Sequence, residues 1–371
     1  MARSAIGVIF SNLHEENVPE LVRKRTIASI PFGGRYRIID FTLSNMVNSN
    51  ITTVGLMAST NYRSLIDHIG SGKDWDLARK DGGIILLPPF SDRHDHSYSN
   101  KMEAIVGLRG FLNKRTEKYV VVSDTDGIAK LNISDVLAYH EKKASDITLI
   151  THRHVVEKTK DFLLVEKNEE GRVTDVKIDP RLPEGSEEEV FINVMVLNRQ
   201  FLLNLIDEAV LRSYKTFEGD IILQHLNSLK IFAYEFKGYY ASIDSMEAYF
   251  KHNMSLLKKD VRDELFADRD IFTKVRDSAP SKYGEGAIVR NSLISDGCEI
   301  EGTVENSILF RGVKVEKGAK VKNCVLMQDT VVECGANLEY VITDKNVKVS
   351  VAQELHGTDS FPVFVAKGKT V

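Results

Sequence analysis

Cysteine is scarce in this sequence: Cys298, Cys324 and Cys334 are the only three in 371 residues, all in the last quarter. That scarcity excludes a disulfide framework and leaves the three as small apolar fillers with no redox role. There is no excess of positive charge either. A formal net charge of −4 and a pI near 6.2 argue against a nucleic-acid scaffold, which normally presents a basic face. No stretch approaches the roughly 20 apolar residues that span a bilayer. The opening MARSAIGVIF is too short an apolar run for a signal peptide. No residues have metal-ligand spacing, so no metal site is expected. The expected setting is the cytoplasm, without membrane or nucleic-acid partners.

What is present changes character along the chain. Residues 1–260 alternate β-rich runs with helical segments. Ser4–Phe10, Thr53–Met57, Tyr119–Ser123, Asp146–Thr151 and Val190–Leu197 read as strands, mostly apolar throughout. Ile133–Lys142, opened by an Asn/Ser cap, and Arg199–Tyr214 carry helical periodicity. Continuous apolar strands separated by helices predict a Rossmann-like α/β domain with a mostly parallel sheet covered on both faces. In such sheets ligands bind outside the carboxyl ends of the strands.

A charged stretch over 261–280, ending in the break Ser278-Ala279-Pro280-Ser281, reads as a linker. From 281 to 371 apolar residues recur six apart: Ile288, Ile294 and Ile300; Val315 and Val321; Val325 and Val331; Val341 and Val347. That period is the signature of a hexapeptide-repeat β-helix, with a small β-sandwich as the alternative.

Pro31–Ile51 (PFGGRYRIIDFTLSNMVNSNI) resembles the stretch that follows the active-site loop of bacterial ADP-glucose pyrophosphorylases (glucose-1-phosphate adenylyltransferases). Trp75–Pro89, Gly238–Leu257 and Ile294–Met327 resemble further segments of that family. The resemblance implies a nucleotide-diphospho-sugar transferase domain, a C-terminal left-handed parallel β-helix, and a tetramer in the pathway to glycogen-like α-glucan. The reaction it implies joins ATP and glucose 1-phosphate into ADP-glucose and pyrophosphate. Such chemistry needs a glycine-rich turn for the phosphates, carboxylates for Mg²⁺ and a lysine for the sugar phosphate.

The residues that should meet these needs depart from the family pattern. The loop Ser11, Asn12, Leu13, His14, Glu15, Glu16, Asn17 holds no glycine, and Asn17 stands where the family has arginine. Arg25 is kept, but Ile27 and Ala28 replace a Lys-Pro. Glu15 and Glu16 are expected to face the triphosphate. A carboxylate 4 Å from a phosphate charge costs about 1 kcal/mol in water and about 4 at intermediate screening. Asp126 stands in place of one metal-binding aspartate and Ser242 in place of the other. Asp126 reads equally as a helix cap. Asp179 and Gly219 replace two family lysines, and Ser59 stands where a glutamine would meet adenine.

No intact catalytic set is therefore expected, and no cofactor is required by this chain itself. The resemblance narrows to the GlgD-type, non-catalytic subunits that pair with an active subunit in a heterotetramer, where the partner uses Mg²⁺ and ATP. Arg35, at a family effector position, with Arg37 and Arg63 nearby, is a candidate binder of a phosphosugar or anion effector. Two other readings stay open: a weakly active nucleotidyltransferase, and a β-helix acyltransferase. The second lacks the usual general base, since no histidine lies between Ala287 and Leu355.

Overall fold

The computed structural model describes residues 5–87, 98, 100–155, 163–178 and 185–371. Two compact units make up the chain. One comprises Met1–Leu13 and Phe41–Tyr240; the other comprises His14–Asp40 and Ala241–Val371. Among the described residues no helix is long and apolar enough to cross a membrane.

The first unit is built on a nine-stranded sheet. Its strands are β1 (Ala5–Phe10), β2 (Thr53–Met57), β3 (Gly83–Leu87), β4 (Tyr119–Ser123), β5 (Ile147–Val155), β6 (Leu163–Lys167), β7 (Val173–Ile178), β8 (Glu187–Asn198) and β9 (Ile231–Glu235). The order runs β7-β6-β8-β4-β1-β2-β3, with β5 paired to both β8 and β9. The run β3-β2-β1-β4 is parallel, whereas β8 is antiparallel to β4, β5 and β6. Only β8 and β7 oppose the common direction, so the sheet is mostly parallel.

Every residue of β1, β2 and β4 is buried. Side chains alternate across a strand, so total burial means that both faces are covered, as their uninterrupted apolar sequences require. The crossover helices include α1 (Ile38–Asn48), α2 (Arg63–Ile69), α3 (Lys101–Gly107), α4 (Ile133–Lys143) and α5 (Arg199–Arg212). Asn132 holds the N-cap position of α4 without a side-chain capping bond. Its amide donates instead to Asp135 Oδ2. Asn198 does cap α5, accepting from Gln200 N and Phe201 N.

In the second unit three five-stranded parallel sheets stack, the arrangement of a left-handed parallel β-helix. Each inner column is apolar: Val304, Val321 and Leu338 pair in register, as do Val315, Val332 and Val349. The step between coils is 17 residues along these columns, and 15 from Ile300 to Val315. Three hexapeptides would give 18, so a strict six-residue phase slips. Some expected inward positions fail for this reason. Ile288 is exposed, and Val331 is half-buried while its neighbour Val332 takes the core position. Corners turn on a column of residues with positive φ, Asn306, Asn323 and Tyr340, where asparagine tolerates the left-handed region better than most residues.

Cys298 and Cys324 are buried in this core, and burial pushes the Cys324 thiol up to about 12. Cys334 departs from the expected filler role: it is exposed, its thiol directed at Lys317 O.

His14–Asp40 packs with the C-terminal segment. Tyr249 Oη donates to Pro31 O at 2.7 Å, and Gly33 N donates to Asn253 Oδ1 at 3.0 Å. The rings of Tyr36 and Phe266 stack with centroids 5.2 Å apart. Phe266 ends a helix, Lys259–Phe266, whose Leu265 is fully buried. The stretch 261–280 is thus partly helical and partly packed.

Candidate functional site

Strand order reverses about β1, with β2 on one side and β4 on the other. The carboxyl ends of these strands are where a doubly wound sheet takes its ligands. Ser11–Leu13 follows β1, Ala58–Asn61 follows β2, and Asp124–Asp126 follows β4.

The first two segments are tied to each other. Ser11 Oγ donates to Met57 O at 2.7 Å, and Ser11 N donates to the same oxygen at 3.2 Å. Asn12 bridges the gap with both ends of its amide. Its Oδ1 accepts from Ser59 N at 2.8 Å, and its Nδ2 donates to Thr60 O at 3.1 Å. A phosphate-binding loop works by aiming backbone N–H groups at the ligand; here the N–H groups of Ser11 and Ser59 are spent on protein acceptors. Ser59, the position expected at adenine, is thereby part of the loop's own bracing.

The division between compact units falls inside the expected phosphate loop, between Leu13 and His14. His14 has φ 65°, and Glu15–Asn17 forms a short 3₁₀ turn. Glu15 Oε1 accepts from Ile27 N at 3.3 Å, which gives that carboxylate a structural partner within its own unit. Glu16 and Asn17 are exposed.

At the end of β4, Asp126 is only 9% exposed and its Oδ2 accepts from Asn193 Nδ2 at 2.8 Å. Gly127–Ala129 continues as a strand and the next helix begins at Ile133, so Asp126 caps no helix. Asn193 lies where the β8–β5 register shifts, and its φ of 57° turns its side chain into the site. Its backbone oxygen accepts from Asp124 N at 3.0 Å.

The residue that sequence reasoning missed is Lys101, the first of α3. Its ammonium lies 2.9 Å from Asp124 Oδ2, 3.1 Å from Asn193 Oδ1 and 3.5 Å from Glu218 Oε1. The Phe191 ring centroid is 5.5 Å away. Burial opposes the charged form, but Asp124, Glu218 and Asp126 outweigh it and hold the amine well above its ordinary value. Lysine is seldom buried unless paired, yet no local motif marks it, because its partners come from three other segments. Gly219 sits beside Glu218 in a π-helical turn, Glu218–Leu223.

The family resemblance implies Mg²⁺ at Asp126 and Ser242. The residues do not fit it. Asp126 already accepts from an amide, a lysine ammonium holds Asp124, and the hydroxyl of Ser242 supplies no charge for the ion. Among the described residues no group of three or more His, Cys, Asp or Glu side chains is placed to hold a metal. Asp179 and Pro180, at the expected sugar-phosphate position, and Pro88 and Pro89 lie outside the described residues.

The second unit carries the arginines. The retained Arg25 is committed internally: its Nη2 donates to both carboxylate oxygens of Asp344, at 2.5 and 2.7 Å. Lys345 lies beside this pair. Burial first, then the charges of Arg37 and Arg25, push its amine down to about 6, with Lys367 acting the same way and Asp344 opposing. Arg35 is exposed, its guanidinium 5.8 Å from the Tyr36 ring. Together with burial, the charges of Arg35 and Arg276 lower the pKa of Arg311, against Asp296. Nη2 of Arg311 is buried with no hydrogen-bond acceptor. Arg35 and Arg37 thus each join a cation-rich group that the sequence did not reveal. Arg63 is exposed at the start of α2, in the other unit.

Two family models match the chain: nucleotidyl transferase over residues 20–259, and GlmU-like, C-terminal hexapeptide over residues 278–360. A glycogen biosynthesis protein, GlgD, of Bacillus subtilis is 34% identical, covering 98% of this chain and 96% of its own. A glucose-1-phosphate adenylyltransferase of Clostridium botulinum is 34% identical over 86% of this chain and 84% of its own. That of Mycoplasma mobile is 31% identical over 86% and 85%.

Proposed function

The chain belongs to the nucleotidyl transferase family, among the glucose-1-phosphate adenylyltransferases and GlgD, and we propose that it is a largely inactive regulatory subunit of such an enzyme in glycogen biosynthesis. One observation carries this reading. Groups of the chain itself occupy the strand ends that a nucleotide and its metal would need: Asn12 braces the loops after β1 and β2, and the Lys101 ammonium pairs with Asp124 after β4. Catalysis in this chemistry is positioning and charge neutralisation, so a site filled from within has little left to offer a triphosphate. The scaffold around it is intact, which suits a subunit kept for assembly rather than for turnover.

The partner in this reading is a catalytic adenylyltransferase subunit, which supplies Mg²⁺ and ATP chemistry in a heterotetramer. This chain biases it through a coupling free energy. The cation-rich groups around Arg35 and Arg37 are the candidate seat of a phosphosugar or other anionic effector, since guanidinium groups grip phosphate bidentately.

The deciding experiment assays ADP-glucose formation by the purified chain alone, by a catalytic subunit alone, and by the two mixed. Activity of the mixture above that of the catalytic subunit, with none from this chain alone, supports the proposal. Robust activity of this chain alone, abolished by Asp126→Ala, would establish the competing reading of a nucleotidyltransferase in its own right.

A further inference from the structure

Lys101 stands where oxygens from three separate segments converge. Asp124 follows β4, Asn193 interrupts β8, and Glu218 opens the π-helical turn. Their nearest oxygens are 2.9, 3.1 and 3.5 Å from the ammonium. Behind Asn193, the carboxylate of Asp126 accepts from the same amide that gives its oxygen to the lysine. Asn100 caps α3 through Glu103 N and fixes where the lysine leaves the helix. The Phe191 ring and the 8% exposure of Lys101 keep water from the charge.

We propose that the Lys101 ammonium is a built-in cation, occupying the place at the end of β4 where this set of oxygens would otherwise take a divalent metal ion. A compact ammonium is a point charge with contacts near 3 Å, and a hard divalent cation takes the same carboxylate and amide oxygens at shorter range. The two exclude each other by charge and by volume. Lysine therefore closes this set of oxygens to metal without removing the carboxylates, and leaves a cation site latent in it. Cutting Lys101 back to alanine leaves two carboxylates and an amide oxygen around a vacated position. The oxygens then need to draw in by roughly 1 Å to reach the 2.0–2.6 Å range of Mn²⁺, Mg²⁺ or Ca²⁺. This inference concerns a cation within the chain and does not depend on whether the protein regulates a partner.

The test uses the full chain and Mn²⁺ as the probe, followed by electron paramagnetic resonance of the free ion and by thermal unfolding in EDTA against MnCl₂. The expected result is that Lys101→Ala binds about one Mn²⁺ at least tenfold more tightly than the parent chain, and that Mn²⁺ raises its Tm. Adding Asp124→Asn to that variant should abolish both effects. Should Lys101→Ala unfold in EDTA, recovery of its ellipticity by Mn²⁺, absent from the double variant, supports the proposal equally. The proposal is overturned if Lys101→Ala, folded or not, responds to Mn²⁺ no differently from the parent chain. It is also overturned if the Asp124→Asn double variant responds as strongly.

Discussion

Arg25 and Asp344, 319 positions apart, meet as a buried ion pair in which one guanidinium nitrogen serves both carboxylate oxygens. Their side chains are 3% and 6% exposed. Breaking a buried pair from one side strands the other charge, at a cost of about 3–5 kcal/mol. Arg25→Ala should lower the unfolding free energy, read from a urea titration followed by far-UV ellipticity, by that amount. Arg25→Met combined with Asp344→Leu should recover most of it, because an apolar pair strands nothing. A single variant as stable as the parent would remove the pair from the list of what holds this unit together.

His140 supplies a pH dependence in the other unit. Burial pushes its imidazole down to about 4, with Lys118 acting in the same sense and Asp146 and Glu141 opposing. Folded, the ring takes a proton only near pH 4; unfolded, it does so at its ordinary 6.5. Between these values the unfolded chain binds more protons, so stability falls as pH falls through that window, by about 3 kcal/mol in all. Trp75 is the sole tryptophan and is buried in the same unit, so its fluorescence reports this transition. His140→Phe should flatten the profile between pH 6.5 and 4.

Arg35 is the sharper probe of the effector proposal. In a mixed assembly with a catalytic subunit, Arg35→Ala should raise the half-activating concentration of a phosphosugar by about tenfold or more, the worth of a charge-assisted bond. Basal activity without effector should stay as it was. An unchanged half-activating concentration would sink the assignment of Arg35.

If the anion seat proposed above includes Lys345, binding there is linked to a proton. With its pKa near 6 the amine is mostly neutral above pH 7. An anion seated beside it favours the ammonium, so binding takes up a proton, and affinity should fall as pH rises from 6 to 8 by up to about tenfold per unit. Calorimetry of sulfate, which holds its charge throughout this range, in two buffers of different ionisation enthalpy reads the proton directly. In Lys345→Met the uptake should vanish; persistence of the uptake would assign it elsewhere.

The legibility of the fold tracks burial. Thr53–Met57 and Tyr119–Ser123 are readable to the residue because every side chain is buried and the apolar run is unbroken. Leu163–Lys167 and Val173–Ile178 mix buried with exposed positions and carry no such run. In the tail the six-residue rhythm within a coil is plain, but the 17-residue step between coils belongs to the corners. The rhythm alone therefore misplaces Ile288 and Val331. The site is legible as a set of departures at Ser11, Asn12 and Ser59. What stands at the strand ends instead is not, because Asn193 and Lys101 acquire meaning only once β8 and α3 are brought beside β4. Arg311 and Lys345 escape for the same reason.

The partition of the chain has a consequence for synthesis. His14–Asp40 leaves the ribosome well before Ala241–Val371, the segment that completes its unit. Ile27, Ile30 and Phe32, fully buried in the finished protein, must wait while Phe41–Tyr240 is made. At roughly 5–20 residues per second that wait is about 10–40 s. During it this apolar segment lacks the part of its own unit that is made later. A fragment that begins at Ala241 inherits the complementary defect, a β-helix missing the strap that seals it.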